Sequence, residues 1–294
     1  MENSESCEDL VKQIGDDPKS INDFFIYSCC YATDINTIKY LLNNKSLNIN
    51  INDPNDNCLL SSCYYNSNFD IIKYLIETLN FNMNITDNDG NNCLLLACQN
   101  NNIVNNNLVK YLIEDRNMDI NYKNDNGVNC FLMSCLRNKN LEVIKYLFET
   151  KKMNVTDVDN YNNNCLIMAC INQDIEIIKY LVDMGADTNH KNNEGNNCLL
   201  TACLTNQNIN VIKYLIEILK FDINYKNKNG DNCLILAAEN NKNIEIIKYL
   251  IDEMKMDIYE ENNENENSIF VSFYNSNVEI KKYFETIIGE KIES

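Results

Sequence analysis

The chain has 294 residues, 45% of them hydrophobic, and a formal charge of −18 from 43 acidic and 25 basic side chains. Its length and apolar content suffice for a buried core, and length alone sets an expectation of roughly two domains of ~150 residues. The negative field opposes nucleic acid and anionic lipid and favours a partner with a basic surface. No stretch approaches the ~18 apolar residues of a membrane span, and the opening MENSESCEDL carries acids where a secretion signal has a basic start and an apolar run. The expectation is a soluble, unexported, cytoplasmic protein in which fourteen cysteines stay reduced. Asn, Ile, Lys and Tyr are abundant, and the excess is expected to be mostly mutational, the codon bias of an AT-rich genome.

Residues 1–20 are predicted to form a short capping helix that ends near Gly15, ahead of Asp17-Pro18, and shields the first helix pair. That pair is read in FFIYSCCYATDINTIKYLL, with Tyr40 near its end. From there the chain repeats. Cys58, Cys93, Cys130, Cys165, Cys198 and Cys233 fall in register at intervals of 35, 37, 35, 33 and 35 residues, a period that signals a solenoid array. Around them stand NCLLSSC, NCLLLAC, NCFLMSC, NCLIMAC, NCLLTAC and NCLILAA, with NSIFVSF from Asn267 as a worn copy. About ten residues later comes a second apolar block, IIKYLIE in one copy and LVKYLIE, VIKYLFE, IIKYLVD, VIKYLIE and IIKYLID in the others. Both blocks are apolar at helical spacing and only two to three turns long, so each predicts a short helix that needs its neighbours.

Three residues before each first cysteine or its equivalent stand Asn55, Gly90, Gly127, Asn162, Gly195, Gly230 and Asn265, residue types that tolerate a left-handed backbone. Three residues earlier come Asn52, Asp87, Asn124, Asp159, Asn192, Asn227 and Asn262, whose side chains can bond the backbone two residues on. The connector is predicted to be a tight, hairpin-like turn. The 37-residue interval carries extra residues near Asn101 to Asn107, expected as a lengthened loop.

Turn, helix, short loop, helix, longer loop is a pattern that resembles the ankyrin repeat over about 270 residues. The family's D-x-x-G-x-T-P-L-H-x-A-A is similar to D/N-x-x-G/N-x-N-C-L-L-x-A-C here, its V-V-x-L-L-L to I-I-K-Y-L-I, and LVDMGADTN carries its G-A-D. The Thr-Pro-x-His set is replaced by Asn, Cys and Leu. The resemblance implies an all-α solenoid of about eight helix-turn-helix units joined by β-hairpin-like turns, spanning 21–288 with a tail at 289–294. The 33-residue interval contains GAD, and the 35-residue ones are expected to lengthen that piece, as in LIEILKFDIN.

Paired cysteines five residues apart lie about 140° apart around a helix, so they do not share a face for one metal ion. Equivalent helices of neighbouring repeats, ~8–10 Å apart, exceed disulfide reach. The thiols are therefore expected as small hydrophobes, with no metal and no cofactor; the only histidine, His190, has no repeated partner. No phosphate loop, nucleophile elbow or zinc-helix motif occurs, so no enzyme is expected.

The resemblance further implies that a protein partner meets the hairpin tips and the concave face of the first helices. By position the candidate surface comprises Tyr64, Tyr65, Asn88, Asp89, Lys123, Asp125, Arg137, Tyr161, Lys191, Glu194, Lys226 and Lys228. Exposed aromatics are typical anchors there, although packing against a neighbouring helix is the alternative for Tyr64, Tyr65 and Tyr161. The recurring Tyr40, Tyr74, Tyr111, Tyr146, Tyr180, Tyr214, Tyr249 and Tyr283 are expected as half-buried framework with wet hydroxyls, beside a solvated row of lysines. The chain is expected to act as a monomeric, non-catalytic scaffold for cellular proteins, without nucleic acid or membrane. Its Asn-rich, Cys-for-Ala style is similar to ankyrin proteins of giant DNA viruses of amoebae, or of amoebae, which would put that partner in the infected cell's cytoplasm. The alternative function is that of a substrate: the resemblance makes hairpin asparagines targets of asparaginyl hydroxylases, with Asn189 the best placed.

Overall fold

A computed structural model describes residues 18–44, 47, 57–102 and 106–293. Most of the expected capping helix, Asn52, Asn55 and the centre of the lengthened loop (103–105) lie outside the described residues. The chain divides after Met153 into two compact units.

In the first unit, four helix pairs follow one another: α1 (Pro18–Tyr31) with α2 (Ile35–Asn44), α3 (Cys58–Tyr65) with α4 (Phe69–Glu77), α5 (Cys93–Gln99) with α6 (Asn107–Lys110), and α7 (Cys130–Arg137) with α8 (Leu141–Lys145). The second unit holds α9 (Cys165–Ile171) with α10 (Ile175–Asp183), α11 (Cys198–Thr205) with α12 (Ile209–Lys213), α13 (Cys233–Asn240) with α14 (Ile244–Lys248), and α15 (Ser268–Ser272) with α16 (Val278–Glu293). Residues 289–293, expected as a tail, continue the last helix. Within each unit first helices pack on first helices. Leu59, Leu94, Phe131, Leu166, Leu199 and Leu234 are buried there, as are Ile72, Leu112, Ile144, Ile178, Ile212 and Ile247 on the second helices.

Asparagine opens and closes the first helices. Asn92 accepts the amide of Leu95, Asn129 that of Leu132, Asn164 that of Ile167, Asn197 that of Leu200 and Asn232 that of Ile235, each at 2.9–3.0 Å. This is N-capping, and it meets the orphan amides of a helix start that the missing family threonine leaves open. At the other end the amide of Asn206, wholly buried, donates to the carbonyls of Cys170 (2.8 Å) and Asn172 (2.9 Å) in the preceding repeat while its oxygen accepts the Asn208 amide (2.8 Å). Asn100, Asn241 and Asn275 repeat the pattern onto Cys63 and Asn66, Cys203 and Asn206, and Ala238 and Asn241. These carbonyls end a helix and have no intrahelical donor, so the amide links one repeat to the next by satisfying them. The asparagine excess, read from composition as mostly mutational, is thus in good part structural.

Hairpins carry a second amide ladder. Asn227 Oδ1 accepts the amides of Asn229 (3.0 Å) and Asp231 (2.9 Å), and its Nδ2 donates to Asn196 of the preceding hairpin (3.0 Å). Asn124, Asn192 and Asn262 do the same toward Asn91, Asn163 and Asp231. The left-handed backbone expected three residues before the cysteine is present at Gly90, Gly127, Asn162, Gly195, Gly230 and Asn265, with φ from 61° to 83°. At Gly90 the hydrogen has a second use: a Cβ there would lie 2.6 Å from Asp125 Oδ1 and 2.9 Å from its backbone nitrogen, on the next hairpin.

The 35-residue interval is lengthened at two places, of which only one is the piece expected. Four second helices widen into a π-helical turn, Tyr111–Asp115, Tyr146–Thr150, Tyr214–Ile218 and Tyr249–Glu253, where Leu219 N bonds Tyr214 O and Phe221 N bonds Leu215 O. The π turn holds one added residue per repeat, and Asn117, Lys152, Lys220 and Lys255 then adopt positive φ. In the 33-residue repeat Met184 N bonds Tyr180 O as in an ordinary helix, and Gly185 (φ 84°) ends it. The other added residue precedes the second helix, since Cys198 to Tyr214 is one residue longer than Cys165 to Tyr180.

Asn206→Ala should cost about 2–4 kcal/mol, because two buried carbonyls and one amide lose their partner. Denaturant unfolding should show this loss, while Asn240→Ala, on an exposed position, stays within about 0.5 kcal/mol. Equal, small effects would contradict the ladder's role.

Candidate partner-binding surface

Two hollows form between the end of a first helix and the hairpin of the following repeat. In the first unit, Tyr64 and Tyr65 at the end of α3 face Asp87, Asp89 and Asn91 of the next hairpin and Gln99 of α5 around about 330 Å³. The second unit repeats the arrangement around about 190 Å³, with Ile171 on α9, Tyr161 and Asn163 on one hairpin, Asn192 to Glu194 on the next, and Thr201 and Leu204 on α11. Sequence register explains the repetition: Tyr64 and Ile171 each stand six residues after the first cysteine of their helix.

The structure disperses the other candidates. Asn88, Lys123 and Asp125 are exposed hairpin residues, and the Asp125 amide donates to Asp89 O (3.2 Å). Arg137 ends α7, where its carbonyl accepts from Asn101 Nδ2 (3.0 Å). Three lysines are engaged by the fold itself: Lys191 lies over the Tyr225 ring (4.3 Å), Lys226 pairs with Glu260 (2.8 Å) and Lys228 donates to Asn193 O (2.6 Å). Glu194 accepts from Asn196 Nδ2 (2.9 Å) and remains exposed. Asn189 is exposed and lines a different hollow of about 380 Å³ with Lys191, Phe221 and Tyr225; its amide is held by Asp187 Oδ1 (2.9 Å). An aromatic row at the first unit escaped the position-by-position reading: Tyr27 and Tyr31 on α1 continue the line of Tyr65 and Tyr64, with successive ring centroids 4.8, 5.6 and 4.4 Å apart. Its signal lay in FFIYSCCY, whose tyrosines fall at helical spacing one repeat before Tyr64-Tyr65.

The thirteen described cysteines are free and buried. Within each unit they meet across repeats in a pairing that comparison of equivalent positions missed: the second thiol of one repeat faces the first of the next, as Cys63 faces Cys93 and Cys170 faces Cys198. Hydrogen bonding to Cys93, then burial, raises Cys63 well above the ordinary thiol value, and Cys98 is raised in the same way by Cys130. Burial pushes Cys165 up to about 12. Thiols so held stay protonated and are poor nucleophiles. The first thiols also tether the hairpins, donating to the carbonyl ten residues upstream: Cys130 to Ile120 (3.4 Å), Cys233 to Ile223 (3.3 Å), and Ser268 in the same place to Ile258 (2.9 Å). Among the described residues no group of three or more His, Cys, Asp or Glu is placed to hold a metal ion.

A family profile described as Ankyrin repeats (3 copies) matches overlapping windows 25–124, 63–159, 102–192, 132–227 and 199–285. The chain belongs to the ankyrin repeat family. No curated protein matches it. Among solved structures, this ankyrin array is similar to a chain in the complex of the Bd0816 predatory endopeptidase from Bdellovibrio bacteriovorus with immunity protein Bd3460. The identity is 22% and the TM-score 0.50, over 66% of this chain and 96% of that one; the likeness is one of fold. No described helix is long and apolar enough to cross a membrane.

On the second helices the recurring tyrosines are less wet than expected. Tyr111, Tyr146 and Tyr249 donate to Glu77 (3.1 Å), Glu114 (2.9 Å) and Glu217 (2.9 Å) of the preceding repeat. Lys73, Lys110 and Lys213, expected as a solvated row, sit over the same rings at 5.9, 5.5 and 4.7 Å. Burial, then the Glu77 carboxylate, pushes the Tyr111 hydroxyl up to about 12, and the same causes raise Tyr146 and Tyr249. An unfolded tyrosine ionises near ~10, so the folded state holds these protons longer. The resulting stability is whole below about pH 10 and is lost as pH rises through about 12. Thermal melts should therefore show a steep fall in stability from about pH 10 upward, shallower in Tyr146→Phe; superimposable alkaline limbs would exclude this coupling.

Proposed function

We propose that this ankyrin array is a non-catalytic scaffold that binds a protein partner through its hairpin tips and the adjoining ends of its first helices. The observation that carries the reading is the recurrence of one kind of hollow, between first helix and following hairpin, in both units. Around it the framework asparagines and leucines repeat while the lining residues change, from Tyr64, Asp89 and Leu96 to Ile171, Glu194 and Thr201. A repeated frame with a varied lining suits recognition of an extended surface. Ankyrin repeats typically mediate protein contacts, which supports the same reading. Buried, protonated thiols suit a reducing compartment, so the partner is proposed to be cytoplasmic. The Asn-rich, Cys-for-Ala style makes an infected amoebal cell our choice of source.

Quantitative pull-down from amoebal lysate should recover a partner with the intact protein and lose it when Tyr64, Tyr65, Tyr161, Lys191 and Lys226 are changed to alanine in a variant that keeps its circular dichroism. Equal recovery by both would move the site elsewhere.

A second reading has one observation in its favour: Asn189 is exposed, in a turn closed by Asp187. As a substrate of an asparaginyl hydroxylase the chain should gain one oxygen at Asn189 on incubation with such an enzyme, read by intact mass and fragmentation. Unchanged mass removes this alternative.

A further inference from the structure

We infer that the hollow at Tyr64, Tyr65, Asp87 and Asp89 receives an arginine side chain of the bound partner, with the aromatic row beside it carrying the partner's flanking residues. The inference rests on the scaffold reading and names the chemistry at one of its subsites.

Elsewhere the molecule shows what such rings hold. Tyr74, Tyr111, Tyr146, Tyr225, Tyr249 and Tyr283 each have a lysine or arginine of the chain itself over the ring, at 4.3–6.0 Å. At Tyr111, Tyr146, Tyr249 and Tyr283 a carboxylate also meets the hydroxyl. Tyr27, Tyr31, Tyr64 and Tyr65 form a continuous row, and among the described residues none of these rings has a cation over it. Tyr27, Tyr31 and Tyr65 keep 59%, 52% and 43% of their surface exposed. Large aromatic surface left in water at one place marks a binding site.

Charge selects the occupant. Among the described residues the hollow is lined by two carboxylates and no basic side chain. Asp87 turns its oxygens to the amide of Asp89 and to both nitrogens of Asn91, so its charge is fixed in place by the hairpin. The Asp89 side chain has no bonding partner among the described residues and stands exposed at the rim. Aromatic faces beside a free carboxylate suit a flat cation that stacks and donates in a fork, which is a guanidinium rather than an ammonium. The edge-to-face contact of Tyr64 and Tyr65, with planes at 89° and centroids 4.4 Å apart, presents one ring face next to one ring edge. That corner offers a ring face to a planar group, and Asp87 and Asp89 line the same hollow to meet its donors.

The test uses the 294-residue chain labelled with 13C in its tyrosine rings, with ring resonances assigned by single Tyr→Phe variants. The probes are three blocked pentapeptides, Ala-Ala-X-Ala-Ala, in which X is arginine, lysine or citrulline. The arginine peptide should shift Tyr31, Tyr64 and Tyr65 resonances with saturation. The lysine peptide should bind more weakly, and neutral citrulline should not saturate. Asp89→Asn should weaken the arginine peptide about tenfold, and so should added salt, while leaving the melting curve unchanged. Tyr65→Leu should do the same without touching the carboxylate. Equal shifts with citrulline, an undiminished titration in Asp89→Asn, or shifts confined to other tyrosines would overturn the assignment. The two readings separate cleanly: a partner lost by the alanine variant in pull-down, together with no arginine response, leaves the scaffold and removes the arginine site, whereas no specific partner and no response removes both.

Discussion

The array depends on one buried amide, used again in repeat after repeat. An asparagine that closes a first helix donates to two carbonyls of the repeat before it and accepts the amide two residues ahead, as Asn206 does toward Cys170, Asn172 and Asn208. A helix of seven or eight residues has more unsatisfied end groups than internal bonds, so it survives only where neighbours supply the missing partners. Here the same side chain meets the end of one helix and shapes the loop to the next. Stability is therefore a property of adjacent repeats, in the manner of a one-dimensional stack.

Two further ladders run alongside. Hairpin amides such as Asn227 bond forward within their own turn and back to the preceding hairpin. On the second helices a tyrosine reaches a glutamate of the previous repeat while a lysine covers its ring, as Tyr146, Glu114 and Lys110 do. Between these polar rows, leucine, isoleucine and cysteine fill the core. The small, weakly polar thiol suits a position that packs against a neighbouring helix and still donates to a carbonyl of its own hairpin, as Cys233 does. Fixing the framework in this way leaves the hairpin tips and the first-helix ends free to vary, and the candidate surface lies there.

Much of this was legible in the chain. The period, the paired short helices and the turn residues all follow from hydrophobic spacing and from Gly or Asn at fixed offsets, because these are local constraints that each repeat states again. The candidate site was legible in part. Tyr64, Tyr65 and Asp89, singled out by position, line one hollow, but Tyr27 and Tyr31, which continue its aromatic row, were not singled out. Those residues belong to another repeat, and sequence shows the members of a row without showing that they adjoin. Lys226 and Lys228 illustrate the converse: both read as open tip residues, and each is held by its own fold, at Glu260 and at Asn193 O.

By itself the sequence determined the repeat, its helical content, the left-handed positions three residues before the first cysteines and the absence of familiar catalytic motifs, since each is written in residue type and spacing within a single repeat. Only the tertiary structure decided what the asparagines are for, which thiols meet and where the added residue of the longer repeats is stored. The first two outcomes depend on contacts 30 to 40 residues apart, such as Asn100 to Cys63 and Asn138 to Cys98, whereas the added residue is stored by a local widening of the second helix. A side chain's partner there is set by the register between stacked helices. That register comes from packing, and no local pattern encodes it.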